Sequence, residues 1–169
     1  MNQVPLVRDF MSRQVIALTP DMMICDAIKL LLDHHLSGAP VVEPVENGQR
    51  VVGIISEHDC ISTLTNGAFY GQTGAQVSDH MRSPVQTMAE DTGLFEAAEQ
   101  FLASHFRLFP VLNAEGLLAG VVSRADVLRA SKELWVAQVA VAEYPFLTDA
   151  VKAKLGDTGL PHLHQRKGF

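Results

Sequence analysis

Two stretches of the chain carry apolar residues at helical spacing, and each runs into a pair of short apolar segments joined by a turn. In the first, Ile24, Ala27, Ile28, Leu31, Leu32 and His35 fall on one face. Thr19-Pro20 is a strong helix start before it, the hydroxyl serving as N-cap and proline as the first helical residue. Ser37-Gly38 marks its end. Val15 to Leu18 reads as a short strand ahead of the helix. Ala39 to Val42 and Val51 to Ile55 read as two strands around Asn47-Gly48, and Ser56 opens a second helix carrying Cys60, Ile61 and Leu64. In the second stretch Leu94, Ala97, Ala98, Phe101, Leu102 and His105 repeat the helical face, with strands at Phe109 to Leu112 and Leu117 to Val122.

These are two copies of one unit. A shift of 70 residues carries Val7, Asp9 and Met11 onto Val77, Asp79 and Met81, and Pro40-Val41 onto Pro110-Val111. The shift then falls to 67, so Gly53, Ser56 and Asp59 meet Gly120, Ser123 and Asp126. The lost residues lie in a turn, Glu43 to Arg50 against Asn113 to Gly116, where length changes are tolerated. A β-α-β-β-α order in duplicate predicts an α/β fold, with two small sheets that secure each other by packing together. The division is 1–65 for the first repeat, 66–76 for a Gly-rich connecting loop, 77–132 for the second repeat, and 133–169 for a helical extension and tail. Arg124 to Glu143 reads as one helix of about 30 Å, striped with Val127, Leu128, Leu134, Trp135, Val141 and Ala142. Pro145 is expected to break it, Phe146 to Leu155 to add a short helical segment, and the remainder to form a polar tail.

Composition narrows the function. With 47% hydrophobic and 19% charged residues the chain is globular rather than disordered. A net charge of -6 argues against a nucleic-acid partner. No apolar run approaches a membrane span and no signal peptide stands at Met1 to Met11. Two unframed cysteines, Cys25 and Cys60, read as buried small hydrophobes in a reducing cytoplasm. No nucleophile–base pair, P-loop or metal-ligand set points to an enzyme, and no catalytic or metal residues are assigned. His162-x-His164 lacks partners for a metal, and His35 and His105 read as satisfied residues of the apolar faces.

Over about residues 5–132 the chain resembles the tandem CBS domain pair, or Bateman module. The resemblance rests on Asp9-Phe10-Met11-Ser12 and Asp79-His80-Met81-Arg82, on Pro40-Val41-Val42 and Pro110-Val111-Leu112, and on two Gly-apolar-apolar-Ser-x-x-Asp corners. It implies a ligand sensor that binds an adenine nucleotide (AMP, ADP or ATP) or another adenosyl compound in clefts between the repeats, needs no cofactor, assembles as a homodimer and regulates a client protein. A stand-alone CBS pair is therefore expected.

The two corners carry the candidate site. Ser56 with Asp59, and Ser123 with Asp126, match a capping box, which needs no ligand. The same geometry also offers a phosphate the free N–H groups of a helix start, and a ribose diol a carboxylate. Within the repeat pair the nucleotide reading is preferred, with a ligand-free interaction module as the alternative. Arg107 and Arg124 place cations near the second corner, whereas Ser37 and Glu57 hold those positions in the first. The second corner is thus expected to take the phosphorylated ligand, and the first to stay empty or take an uncharged adenosyl group, with His34, His35 or His58 as partial substitutes for the missing cation. Pro40 and Pro110 complete the candidate residues, with Ala17 and Thr87 on the backbone bordering the base.

Overall fold

The two apolar runs of each copy become a β-hairpin in the computed structural model, which describes residues 4–65 and 75–143, with side chains at 4–63 and 75–135. In the first repeat β1 (Gly38–Val45) pairs antiparallel with β2 (Gly48–Ser56), which leads directly into α3 (Glu57–Thr65). Helix α2 (Ile24–Asp33) precedes them. The second repeat has α5 (Leu94–Ala103), β4 (Leu108–Leu112) and β5 (Leu118–Ser123), which runs into α6 (Arg124–Glu143). A two-residue strand, β3 (Met88–Ala89), lies parallel to β4, giving the order β3-β4-β5. In the first repeat only one bridge, Leu18 to Val41, takes that place. The strand expected over Val15 to Leu18 is thus reduced to Leu18. Both hairpins shift register at the same step, between Val41 and Val42 and between Val111 and Leu112.

The repeats are interlocked by their opening arms, α1 (Val7–Phe10) and α4 (Val77–His80), each bonded to the other copy. Val7 N donates to Thr92 O and Arg8 N to Glu90 O, while Leu94 N donates to Pro5 O. The reciprocal set is Val77 N to Met22 O, Ser78 N to Pro20 O and Ile24 N to Ala75 O. The arms then reach the opposite hairpins, Ser12 bridging Val121 and Arg82 bridging Ile54. Val7 and Val77 are fully buried, and Val77 belongs to the apolar cluster of the first repeat with Leu18, Leu31, Val41 and Ile55. Burial of a side chain of this size contributes about 1.5–3 kcal/mol.

That exchange overrides the local helix signal. Thr19 and Pro20 lie in a turn, with the Thr19 hydroxyl donating to Asp21, and α2 begins only after Met23. Neither α2 nor α5 has a side-chain cap, their N-cap residues being Met23 and Gly93, and the first N–H of each is taken by the other repeat's arm. Both helices also end earlier than the periodicity suggests: His35 turns into the left-handed region at φ 53° and, like His105, is exposed rather than set in an apolar face. Leu32 and Leu102, placed on those faces by spacing, are exposed as well.

The chain divides into two units, Met1–Val127 and Leu128–Phe169. The first contains the first repeat and the second as far as the opening turn of α6. In the second, Leu128 and Trp135 are exposed, so these two members of the expected stripe are uncovered. Val141, Ala142 and everything from Pro145 on, including His162 and His164, lie outside the side chains described, as does 66–74 of the connecting loop. Among the described residues no helix is long and apolar enough to cross a membrane.

Candidate functional site

The two serine–aspartate corners fold alike. At the first, Ser56 N and Oγ both donate to Asp59 Oδ2, at 3.0 and 2.5 Å, and Asp59 N lies 3.4 Å from Ser56 Oγ. At the second, Ser123 N and Oγ donate to Asp126 Oδ2 at 2.9 and 2.6 Å, with the same 3.4 Å return contact. Both are therefore capping boxes, and the helix-start reading holds at each. Neighbouring contacts match too: Glu57 N donates to Ser37 O and Arg124 N to Arg107 O.

The corners differ in what stands in front of them. A cavity of about 530 Å³ opens at the first, within the range of small-ligand sites. The first repeat lines it with Ser37, Gly38, Ile54, Ile61 and the Ser56–Asp59 corner, and the second with Arg82 and the His105–Leu108 segment. It lies between the repeats. Of the candidate residues, the structure brings Ser56, Asp59 and Arg107 to this cavity. Ser123, Asp126 and Arg124 stand at the other corner, where the Arg124 guanidinium donates to Ser104 O at 3.4 Å. Pro40 and Pro110 are fully buried in β1 and β4, and Ala17 and Thr87 are half-buried just before Leu18 and Met88. None of these seven lines the cavity. Arg107 thus belongs in space to the first corner as much as to the second, supplying a cation that the chain order alone withholds from Asp59.

Arg82, Phe106 and His105 are among the lining residues that the sequence did not single out for this cleft. Arg82 Nε donates to Asp59 Oδ1 at 2.7 Å, and its terminal nitrogen lies 3.2 Å from His58 Nδ1. A guanidinium only donates, so that His58 nitrogen is the acceptor. The Asp59 side chain is 10% exposed and that of Arg82 50%. Phe106 packs edge-on against Phe109, centroids 5.8 Å apart, which fixes a ring beside the cleft. The available signal for Arg82 was the repeat itself, which sets Arg82 opposite Ser12.

Behind the corner, Cys60 is buried and its thiol is pushed up, first by burial and then by the charge of Asp59. Cys25, expected to be buried, is exposed on the first turn of α2. Only the thiolate reacts. Timed iodoacetamide labelling mapped by mass spectrometry should modify Cys60 at least about tenfold more slowly in the native protein than in urea. Equal rates in the two states would contradict this packing.

Comparison with known proteins bears on the whole pair. The family model described as CBS domain matches twice, at residues 7–66 and 77–133. A 17.7 kDa protein of Acidianus ambivalens is 30% identical over 124 residues, 73% of this chain and 71% of that protein. The structure of CBSX2 in complex with AMP is 29% identical with a TM-score of 0.67, covering 76% of this chain and 97% of that one. The CBS domain pair of MJ0100 in complex with 5'-methylthioadenosine and S-adenosyl-L-methionine is 25% identical with a TM-score of 0.64, covering 77% and 98%. This chain spans 64% of full-length CBSX2 from Arabidopsis thaliana and 14% of an A-adding tRNA nucleotidyltransferase of Geobacter sulfurreducens.

Proposed function

The chain belongs to the CBS domain family, as a tandem pair, and from that premise we propose that it is a regulatory module binding an adenine nucleotide in the cleft at the Ser56–Asp59 corner. One observation carries the reading: the cavity joins a helix-start carboxylate of one repeat to two arginines supplied from the other, Arg82 and Arg107. Asp59 accepts from the ribose hydroxyls, as a carboxylate does from a diol. The start of α3 and the two guanidinium groups meet the phosphate. Ile54, Phe106 and Leu108 offer the base an apolar wall. The adenosyl ligands held by CBSX2 and by the MJ0100 pair support the class of ligand.

The second corner, where the sequence led one to expect the phosphorylated ligand with the first empty or holding an uncharged adenosyl group, repeats the Ser–Asp geometry within about 0.1 Å, which supports a further nucleotide site there. Binding acts by favouring one arrangement of the repeats over another and so reaches a client protein. A homodimer is part of this reading: Leu32, Phe95 and Leu102 leave apolar surface open on α2 and α5. The alternative is a ligand-free interaction module.

The test is thermal unfolding with AMP, ADP, ATP, NAD and S-adenosylmethionine in turn. A ligand at 100 times its Kd should stabilise the protein by about 2.7 kcal/mol, and Asp59→Asn should abolish the part due to the first cleft. Loss of the shift in Asp126→Asn alone would move the site to the second corner. Flat curves for every ligand would leave the interaction module.

A further inference from the structure

We propose that Arg82 is a displaceable latch on Asp59, and that it makes this cleft select ligands carrying a 5'-phosphate over the uncharged nucleoside. The inference rests on the nucleotide reading above. Asp59 has two carboxylate oxygens, and both are engaged. Oδ2 takes the backbone N–H and the hydroxyl of Ser56, while Oδ1 takes Arg82 Nε. The Ser56 bonds belong to the helix cap and stay. Both hydroxyls of a ribose diol can therefore be accepted only at Oδ1, one of whose two acceptor positions the guanidinium holds.

Arg82 is built to move without its backbone moving. Its N donates to Ile54 O at 2.8 Å and its O accepts from Ile54 N at 3.1 Å, so its Cα is tied to β2. The side chain is half-exposed and borders the open cavity. Its other contact is a nitrogen of the exposed His58 ring. The guanidinium end is half-exposed but Asp59 is nearly buried, so Arg82 leaves readily only when another donor, such as a ribose hydroxyl, takes its place on the carboxylate. Once displaced, however, the guanidinium shares the cavity with Arg107. A phosphate answers both cations with charge-assisted hydrogen bonds. A neutral nucleoside takes Asp59 and returns nothing to Arg82, and a cationic sulfonium adds like charge.

The arm residue differs at the other corner. On the other hairpin the arm position is held by Ser12, which bridges Val121 as Arg82 bridges Ile54, and whose hydroxyl donates to Gln14 O.

Calorimetric titration of full-length protein with AMP and with adenosine, in an Asp126→Asn background that silences the second corner, tests the latch. Unaltered at position 82, the protein should bind AMP at least about thirtyfold more tightly than adenosine, a difference of roughly 2 kcal/mol. Arg82→Ala and the stem-preserving Arg82→Gln should weaken AMP tenfold or more while adenosine tightens several-fold, because no cation then holds Asp59 Oδ1. Opposite signs for the two ligands are the signature. Equal losses for both, or an unchanged ratio, would overturn the latch and leave the nucleotide site standing. Absence of AMP binding with Arg82 in place would remove the site and the latch together.

Discussion

Leu18→Ala is expected to lower the free energy of unfolding by about 2–5 kcal/mol. Leu18 is fully buried at the centre of the first repeat's core, against Ile24, Leu31, Val41 and Ile55. Its backbone cannot follow the shortened side chain inward, because Leu18 N donates to Pro40 O and Leu18 O accepts from Val42 N, at 2.9 and 2.8 Å. The space is left as a void, which is the costly case. Urea unfolding should show the midpoint falling by about 1–2 M with little change in slope. A fall of less than about 0.3 M would mean that the bridge to β1 yields and the core closes over the gap.

Gly120→Ala should cost about 1–3 kcal/mol, although Gly120 has extended backbone that any residue adopts. The reason is space. A Cβ there would lie 2.7 Å from Ser12 O and 2.8 Å from Met11 Sδ. Ser12 O cannot retreat, since it accepts from Val121 N, and Met11 is buried. The twin change Gly53→Ala meets Met81 first, its sulfur, Cγ and Cβ being the three nearest atoms, a flexible side chain rather than backbone. The first substitution should therefore lower the thermal midpoint more than the second. The reverse order would show that the arm, rather than the methionine, gives way.

The alternating and helical patterns located nearly every element, and the 70-residue echo found both corners without any structure. What they missed has one physical origin. Thr19-Pro20 is a good helix start by local chemistry, yet α2 begins at Ile24 because Ala75 O, from the other repeat, receives that N–H. Chain order sets Arg107 at the second corner, and it also lines the cavity of the first. Arg82 reaches Asp59 across 23 positions, beyond any spacing rule. Periodicity reports how a segment treats its own neighbours. It is silent on which copy an arm crosses to, and the cleft is made by that crossing.

The exchanged arms also carry a historical implication. In each repeat the hairpin glycine is covered by the opposite copy's methionine, Gly120 by Met11 and Gly53 by Met81. A single unit would have had no Met of its own over that edge, so the ancestral repeat is best pictured as a pair of identical chains trading their first turns. Joining the two ends to end would preserve every such contact while freeing the halves to diverge. An arginine at one arm and a serine at the other, Arg82 and Ser12, is the kind of asymmetry that a symmetric ancestor was barred from holding.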